Sequence, residues 1–162
     1  TFLQMTYSLR AMQTARLAAT GETVAYLSVH RFPFYPGTGG REETGSGRGL
    51  GLTANVPLPA GAGDAAYAGG FEAALDALSR RFRPDLVLVS AGFDAHHRDP
   101  LGGMQVSAEG FGRMTRALAA LADAACRGRL VSILEGGYDP DGTAEGATAH
   151  ARVLAESVEP SN

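Results

Sequence analysis

Two short segments hold side chains that could do chemistry together. Asp94 stands in Ala-Gly-Phe-Asp and Tyr138 in Glu-Gly-Gly-Tyr, each just past an apolar run, Leu86–Val89 and Leu130–Leu134. A carboxylate in such a place can hold a hard or borderline metal such as zinc. A phenol can donate a hydrogen bond to an oxyanion. The Gly136-Gly137 pair would let backbone and substrate approach closely. Asp94, His96 and His97 also have a spacing that can ligate a metal locally, although the same spacing fits two loop histidines, one of them exposed. His30, at a strand end, and His150, on a helix, read as structural. On chemistry alone two interpretations stay open: a reactive rim, or a loop-capping carboxylate beside an aromatic that anchors a turn.

The elements that must position these residues can be traced from periodicity. Phe2, Leu3, Met5, Leu9, Met12 and Leu17 suggest a rough helix that Gly21 would end. Val24 to Val29 reads as a short strand. Residues 31–63, with RFPFYPGTGG and GSGRGLG, read as one long loop, and loops of that length in compact domains are usually functional. The glycines at 45, 47, 49 and 51 invite a nucleotide-binding interpretation, but Leu50 and Leu52 sit where the third fingerprint glycine should fall. Asp64 is placed to cap a helix carrying Tyr67, Phe71, Ala74, Leu75, Leu78 and Phe82, with Pro84 marking its end.

Leu86–Val89 has the continuous apolar character of a buried parallel strand. Ser107 is placed to cap a second helix with Phe111, Met114, Leu118, Leu121, Ala122 and Ala125 on one face, stopped at Gly128. Leu130–Leu134 reads as another buried strand. A last helix is expected from about Thr143 to Val158, with Ala147, His150, Ala151 and Leu154 inward, and the terminal Pro-Ser-Asn should fray. Alternating strands and helices predict an α/β domain with a mostly parallel sheet. In such sheets ligands bind beyond the carboxyl ends of the strands, which is where Asp94 and Tyr138 fall.

Composition removes several alternatives. The chain has 162 residues, enough for one domain with a core, and a net charge of −3, which disfavours binding nucleic acid through overall charge. All 14 basic residues are Arg, so a Schiff-base lysine and a phosphate loop ending in Gly-Lys are impossible. The single cysteine, Cys126, rules out an internal disulfide and lies in a helical pattern as a small apolar residue. No apolar run is long enough to span a membrane.

Four loop segments in a fixed order carry a family resemblance: YLSVHRFPFYPGTGG at 26–40, NVPLP at 55–59, SAGFDAHHRDPLGG at 90–103 and LEGGYD at 134–139. Together they resemble the C-terminal half of histone deacetylases and the related acetoin-utilisation and acetylpolyamine-hydrolase proteins. The resemblance spans residues 23–158, leaving 1–22 unmatched and 159–162 as a tail. It implies an arginase–deacetylase α/β fold, incomplete here, in which a mostly parallel sheet is flanked by helices. It implies Zn2+ bound by Asp94 and a catalytic Tyr138 that hydrogen-bonds the substrate carbonyl and its oxyanion. It also implies an acyl-lysine tunnel walled by Tyr35 and Leu101 and floored by Gly137, with Gly136 beside it among the substrate-binding residues, and a structural K+ near Ser28 and Val29.

The departures from that pattern are equally specific. Family members carry a His-His pair for acid–base work and an Asp-x-His motif with further zinc ligands, both before the strand at 24–29. Residues 1–22 contain no His and no Asp. The resemblance therefore implies a zinc-dependent amidohydrolase of acetyl-lysine or acetylpolyamine, present as a fragment with weak or no activity of its own. The rival expectation is a non-catalytic binding or interaction module that keeps the tunnel loops. Expected partners are the acetylated substrate, an N-terminal half acting in trans, or a second copy of the chain, with no direct nucleic acid. The expected location is cytoplasmic. The opening Thr and the Thr- and Ala-rich, acid-poor stretch 1–21 fit an ordinary helix of a truncated chain better than an organelle transit peptide.

Overall fold

The computed structural model describes residues 1–6, 21–35 and 37–157. Five strands, β1 Phe2–Thr6, β2 Val24–Arg31, β3 Thr53–Leu58, β4 Leu86–Ala91 and β5 Leu130–Leu134, form one sheet in the order β3-β2-β1-β4-β5. Every pairing is parallel. Three helices follow the later strands: α1 Asp64–Ser79, α2 Ala108–Cys126 and α3 Pro140–Glu156. Helix α1 packs on β2 and β3, α2 packs on β4 and on α1, and α3 packs on α2. The core gathers at this junction, from Leu27, Val29, Val87 and Val89 on the sheet to Phe71, Phe111, Met114 and Leu118 on the helices.

The strand order reverses between β1 and β4, which makes a topological switch point. In an open parallel sheet the crevice beyond the carboxyl ends at such a point is where ligands bind. Asp94 lies three residues past the end of β4.

Three expectations need correction. Residues 2–6 are a strand, not the start of a helix. Phe2–Thr6 pairs on both sides, with β2 from Phe2↔Val24 and with β4 from Phe2↔Leu86, and pairing in the middle of a sheet outweighs local helical periodicity. The helical signal of Leu9, Met12 and Leu17 lies outside the described residues, as does the terminal Pro-Ser-Asn. The stretch 31–63 is not one loop, because β3 lies within it, paired to β2 from Tyr26↔Thr53 to Arg31↔Leu58. Pro57 hides this strand from a sequence reading. Proline is tolerated there because β3 is an edge, where one side of the backbone needs no ladder bond.

The third correction concerns β5, which is not buried. Among the described residues it is the other edge of the sheet, and Val131, Ile133 and Leu134 are exposed, Ile133 at 54%. Smaller differences concern helix ends. Gly63, not Asp64, is the N-cap of α1, and the Asp64 carboxylate instead accepts from the Ser107 amide (2.8 Å) and hydroxyl (2.6 Å), tying α1 to the start of α2. Ser107 caps α2 as expected, accepting from the Gly110 amide at 3.2 Å. Helix α3 starts at Pro140 behind an Asp139 cap, an Asp-Pro signature for a helix start. Its inward face holds His150 and Val153, while Ala151 is exposed.

Candidate active site

The site is built from three loops at the carboxyl ends of β2, β4 and β5. The loop after β4 folds back on itself. The Val106 amide donates to the Ala95 carbonyl at 3.1 Å, and the His97 amide to the Val106 carbonyl at 3.0 Å. Gly102 seats directly on the backbone of Asp94, so closely that a Cβ there would collide with the Asp94 carbonyl oxygen. The second residue of the Leu-Gly-Gly segment must therefore lack a side chain for Asp94 to keep its place. Asp94 is 3% exposed. It lines a small pocket with His30, Arg31, Tyr67, Ala95, Gly102 and Met104. Burial, and secondarily the charge of Asp94, pushes the Tyr67 phenol well above its ordinary range, so Tyr67 is neutral there.

The loop after β5 is tied to the loop after β4 by main-chain bonds. The Glu135 amide donates to the Ala91 carbonyl (3.1 Å) and the Phe93 amide to the Gly136 carbonyl (2.7 Å). Gly137 has φ 137°, and a Cβ there would collide with the Thr143 side chain, so both conformation and space demand glycine. Tyr138 follows on the rim, 46% exposed, with its backbone N–H donating to the Asp99 carboxylate at 2.7 Å.

The loop after β2 supplies the third side. The Arg31 guanidinium lies over the Phe34 ring, 4.2 Å from its centroid, and donates to the Gly102 carbonyl at 3.3 Å. This joins the Tyr35 loop to the Leu101 loop. Tyr35 and Leu101 are both exposed, as side chains at the mouth of a cleft would be. Ser28 and Val29 are buried in β2. The His30 ring bridges the Ser28 hydroxyl (Nδ1, 2.8 Å) and the Gly39 carbonyl (Nε2, 3.0 Å). A carbonyl only accepts, so Nε2 carries the proton. Burial lowers the His30 pKa and keeps the ring neutral, so the Ser28 hydroxyl donates to Nδ1. Tyr26 on the same strand is pushed up to about 12, mainly by burial.

The structure thus places Asp94, Tyr138, Gly136, Gly137, Tyr35 and Leu101 on one rim, with Ser28 and Val29 in the strand beneath. It does not put the Tyr138 phenol in the lining of the Asp94 pocket. His30, Arg31, Tyr67 and Asp99 are members of this region that the sequence did not mark as functional. His30 read as structural, and the helical spacing of Tyr67 marked it as core.

A catalytic zinc site ordinarily takes three protein ligands and leaves a position open. Among the described residues no group of three His, Cys, Asp or Glu side chains could hold a metal ion. The local Asp94, His96 and His97 arrangement is not formed. His96 is fully buried and stacked on Phe111. Its Nδ1 accepts from the Arg98 amide at 3.3 Å, and Nε2 lies 3.5 Å from Glu145. Burial first, then the neighbouring His97, lowers the His96 pKa. His97 is exposed. His150 is committed between the Thr115 and Ser132 hydroxyls, 2.8 Å from each. The described residues therefore offer one candidate ligand, Asp94, and do not by themselves fit a zinc ion.

The sequence pattern of the histone deacetylase domain matches residues 13–154, beginning inside the stretch 1–22 that carries none of the four loop motifs. The chain is 40% identical over 129 residues to a probable deacetylase of Archaeoglobus fulgidus, covering 80% of this chain and 36% of that protein. It is 42% identical over 139 residues to histone deacetylase HDA1 of Saccharomyces cerevisiae, covering 82% of this chain and 19% of that protein. Among solved structures, the HDA15 HD domain superposes with a TM-score of 0.86 at 38% identity, over 98% of this chain and 46% of that one. An acetylpolyamine aminohydrolase from Burkholderia pseudomallei superposes with a TM-score of 0.83 at 32% identity, over 95% of this chain and 44% of that one. The chain spans about a third of the archaeal relative and under half of either solved chain, so its sheet and helices are part of an arginase–deacetylase fold. With its loop motifs, its fold and its domain pattern in agreement, the chain belongs to the histone deacetylase family.

Proposed function

We propose that this chain is the C-terminal part of an amidohydrolase that removes an acetyl group from acetyl-lysine or an acetylated polyamine. One observation supports this above the others: Asp94 and Tyr138 follow adjacent strands at the switch-point rim, on loops bonded to each other. In this proposal the Tyr138 hydroxyl donates to the acetyl carbonyl oxygen as it gains negative charge. Tyr35 and Leu101 flank the extended, apolar stem of the substrate, and Gly136-Gly137 leave room for the acetyl group. Zinc would need ligands from beyond the described residues, and Asp94 would be one of the set. A structural potassium would draw on Ser28 and Val29. His30 and His150 each use both ring nitrogens in hydrogen bonds, so neither stands ready as a base.

The test is hydrolysis of an acetyl-lysine peptide and of an acetylated polyamine. The chain is assayed alone and mixed with a segment from a family member that carries the His-His and Asp-x-His motifs which the resemblance implies. The chain alone should be inactive and the mixture active. Tyr138→Phe should lower turnover by a factor of about 10²–10³, the usual loss for one oxyanion donor. A mixture that binds acetyl-lysine tightly without hydrolysing it would favour a binding module instead.

A further inference from the structure

Asp99 lies five residues past Asp94 in the same loop and is 7% exposed. One of its oxygens, Oδ1, accepts from the amides of Leu101 and Gly102, both at 2.9 Å. The other, Oδ2, accepts from the amide of Tyr138 at 2.7 Å, across 39 residues of sequence. One buried carboxylate therefore fastens three things: Leu101 on the cleft mouth, Gly102 against the Asp94 backbone, and the backbone of Tyr138. Bonds from N–H to a carboxylate are shorter and stronger than neutral ones. Tyr138 needs such a tether. It follows two glycines and is half exposed, and the main-chain bonds on either side of it fall on Gly136 and on Asp139, not on Tyr138.

We propose that Asp99 is a positioning residue: by accepting from the Tyr138 amide while holding Leu101 and Gly102, it sets the phenol relative to the acetyl group. It touches no substrate and acts through Tyr138, so this rests on Tyr138 serving as oxyanion donor. The chemistry of the two oxygens offers a selective variant. In Asp99→Asn the remaining oxygen still accepts from Leu101 and Gly102. The new NH2 then faces the Tyr138 N–H, donor against donor. Asp99→Ala releases all three amides.

Amide hydrogen exchange by NMR on the chain, with kinetics on the mixture described above, tests this. In Asp99→Asn the Tyr138 amide should exchange at least about ten-fold faster, while the Leu101 and Gly102 amides stay protected and report an intact fold. In Asp99→Ala all three should exchange faster. In the active mixture Asp99→Asn should lower kcat about ten-fold or more and leave KM within about two-fold, the split expected for an interaction made only in the transition state. An unchanged Tyr138 amide in Asp99→Asn would overturn the proposal, as would full turnover in Asp99→Asn where Tyr138→Phe is inactive. Full turnover in Tyr138→Phe would overturn the role given to Tyr138, and with it the purpose assigned to Asp99.

Discussion

At the level of single residues, the rim depends on close backbone approaches that only glycine permits. Gly102 is the extreme case, because a Cβ there meets the main chain of Asp94 and not a side chain that could swing aside. Gly102→Ala should therefore destabilise the fold by about 1–3 kcal/mol, the usual cost of overpacking, and should displace the Asp94 loop. Thermal unfolding measures the first effect and the amide shifts of Asp94–Asp99 the second. A variant as stable as the wild type would mean that the loop yields without strain. The placement of Asp94 and Tyr138 just past strand ends was legible in the sequence, because each follows a short apolar run within a few residues. Asp99 was not. A carboxylate before Pro-Leu-Gly-Gly reads as a local turn cap, and nothing in sequence spacing reveals that its other oxygen meets an amide 39 residues away.

Among the elements, α3 is held to the sheet by a buried histidine. The Thr115 hydroxyl donates to the Phe111 carbonyl at 2.8 Å, so it can only accept from His150 Nδ1–H, and the Ser132 hydroxyl donates to Nε2. His150 thus bridges α2, α3 and β5 as a neutral ring, and burial lowers its pKa. The sign of the pH effect follows. A histidine whose folded pKa is depressed binds fewer protons folded than unfolded, so its stabilisation is complete above the unfolded value of about 6.5. It is lost as pH falls from there through the folded value. The melting temperature should drop between pH 7.5 and pH 5.5, and His150→Gln should flatten that drop, His30 supplying part of the remainder. An equally steep drop in His150→Gln would assign the effect elsewhere. Long, periodic elements such as α1 and α2 were legible from their stripes of large apolar residues. The misread elements were strands whose character is set by position in the sheet. β1 takes its identity from two partners, β3 is an edge carrying Pro57, and β5 is an apolar run that happens to end the sheet.

For the whole molecule, the central matter is completeness. Among the described residues the sheet ends in β5, a strand with Val131, Ile133 and Leu134 exposed and no charge or proline along it, which is an edge ready to pair. The site is likewise partial among the described residues, with one candidate ligand, Asp94, and one proposed oxyanion donor, Tyr138. Both features support the proposal that the working form includes further structure, as in the relatives named above, of which the chain spans between 19% and 46%. Zinc content by elemental analysis tests this most directly, measured on the chain alone and on the mixture with the His-His and Asp-x-His segment, each with an Asp94→Ala control. The chain alone should hold well under one zinc per molecule, and the mixture close to one, lost in Asp94→Ala. One zinc per molecule in the chain alone would contradict the partial site, and zinc in the mixture that survives Asp94→Ala would contradict Asp94 as a ligand.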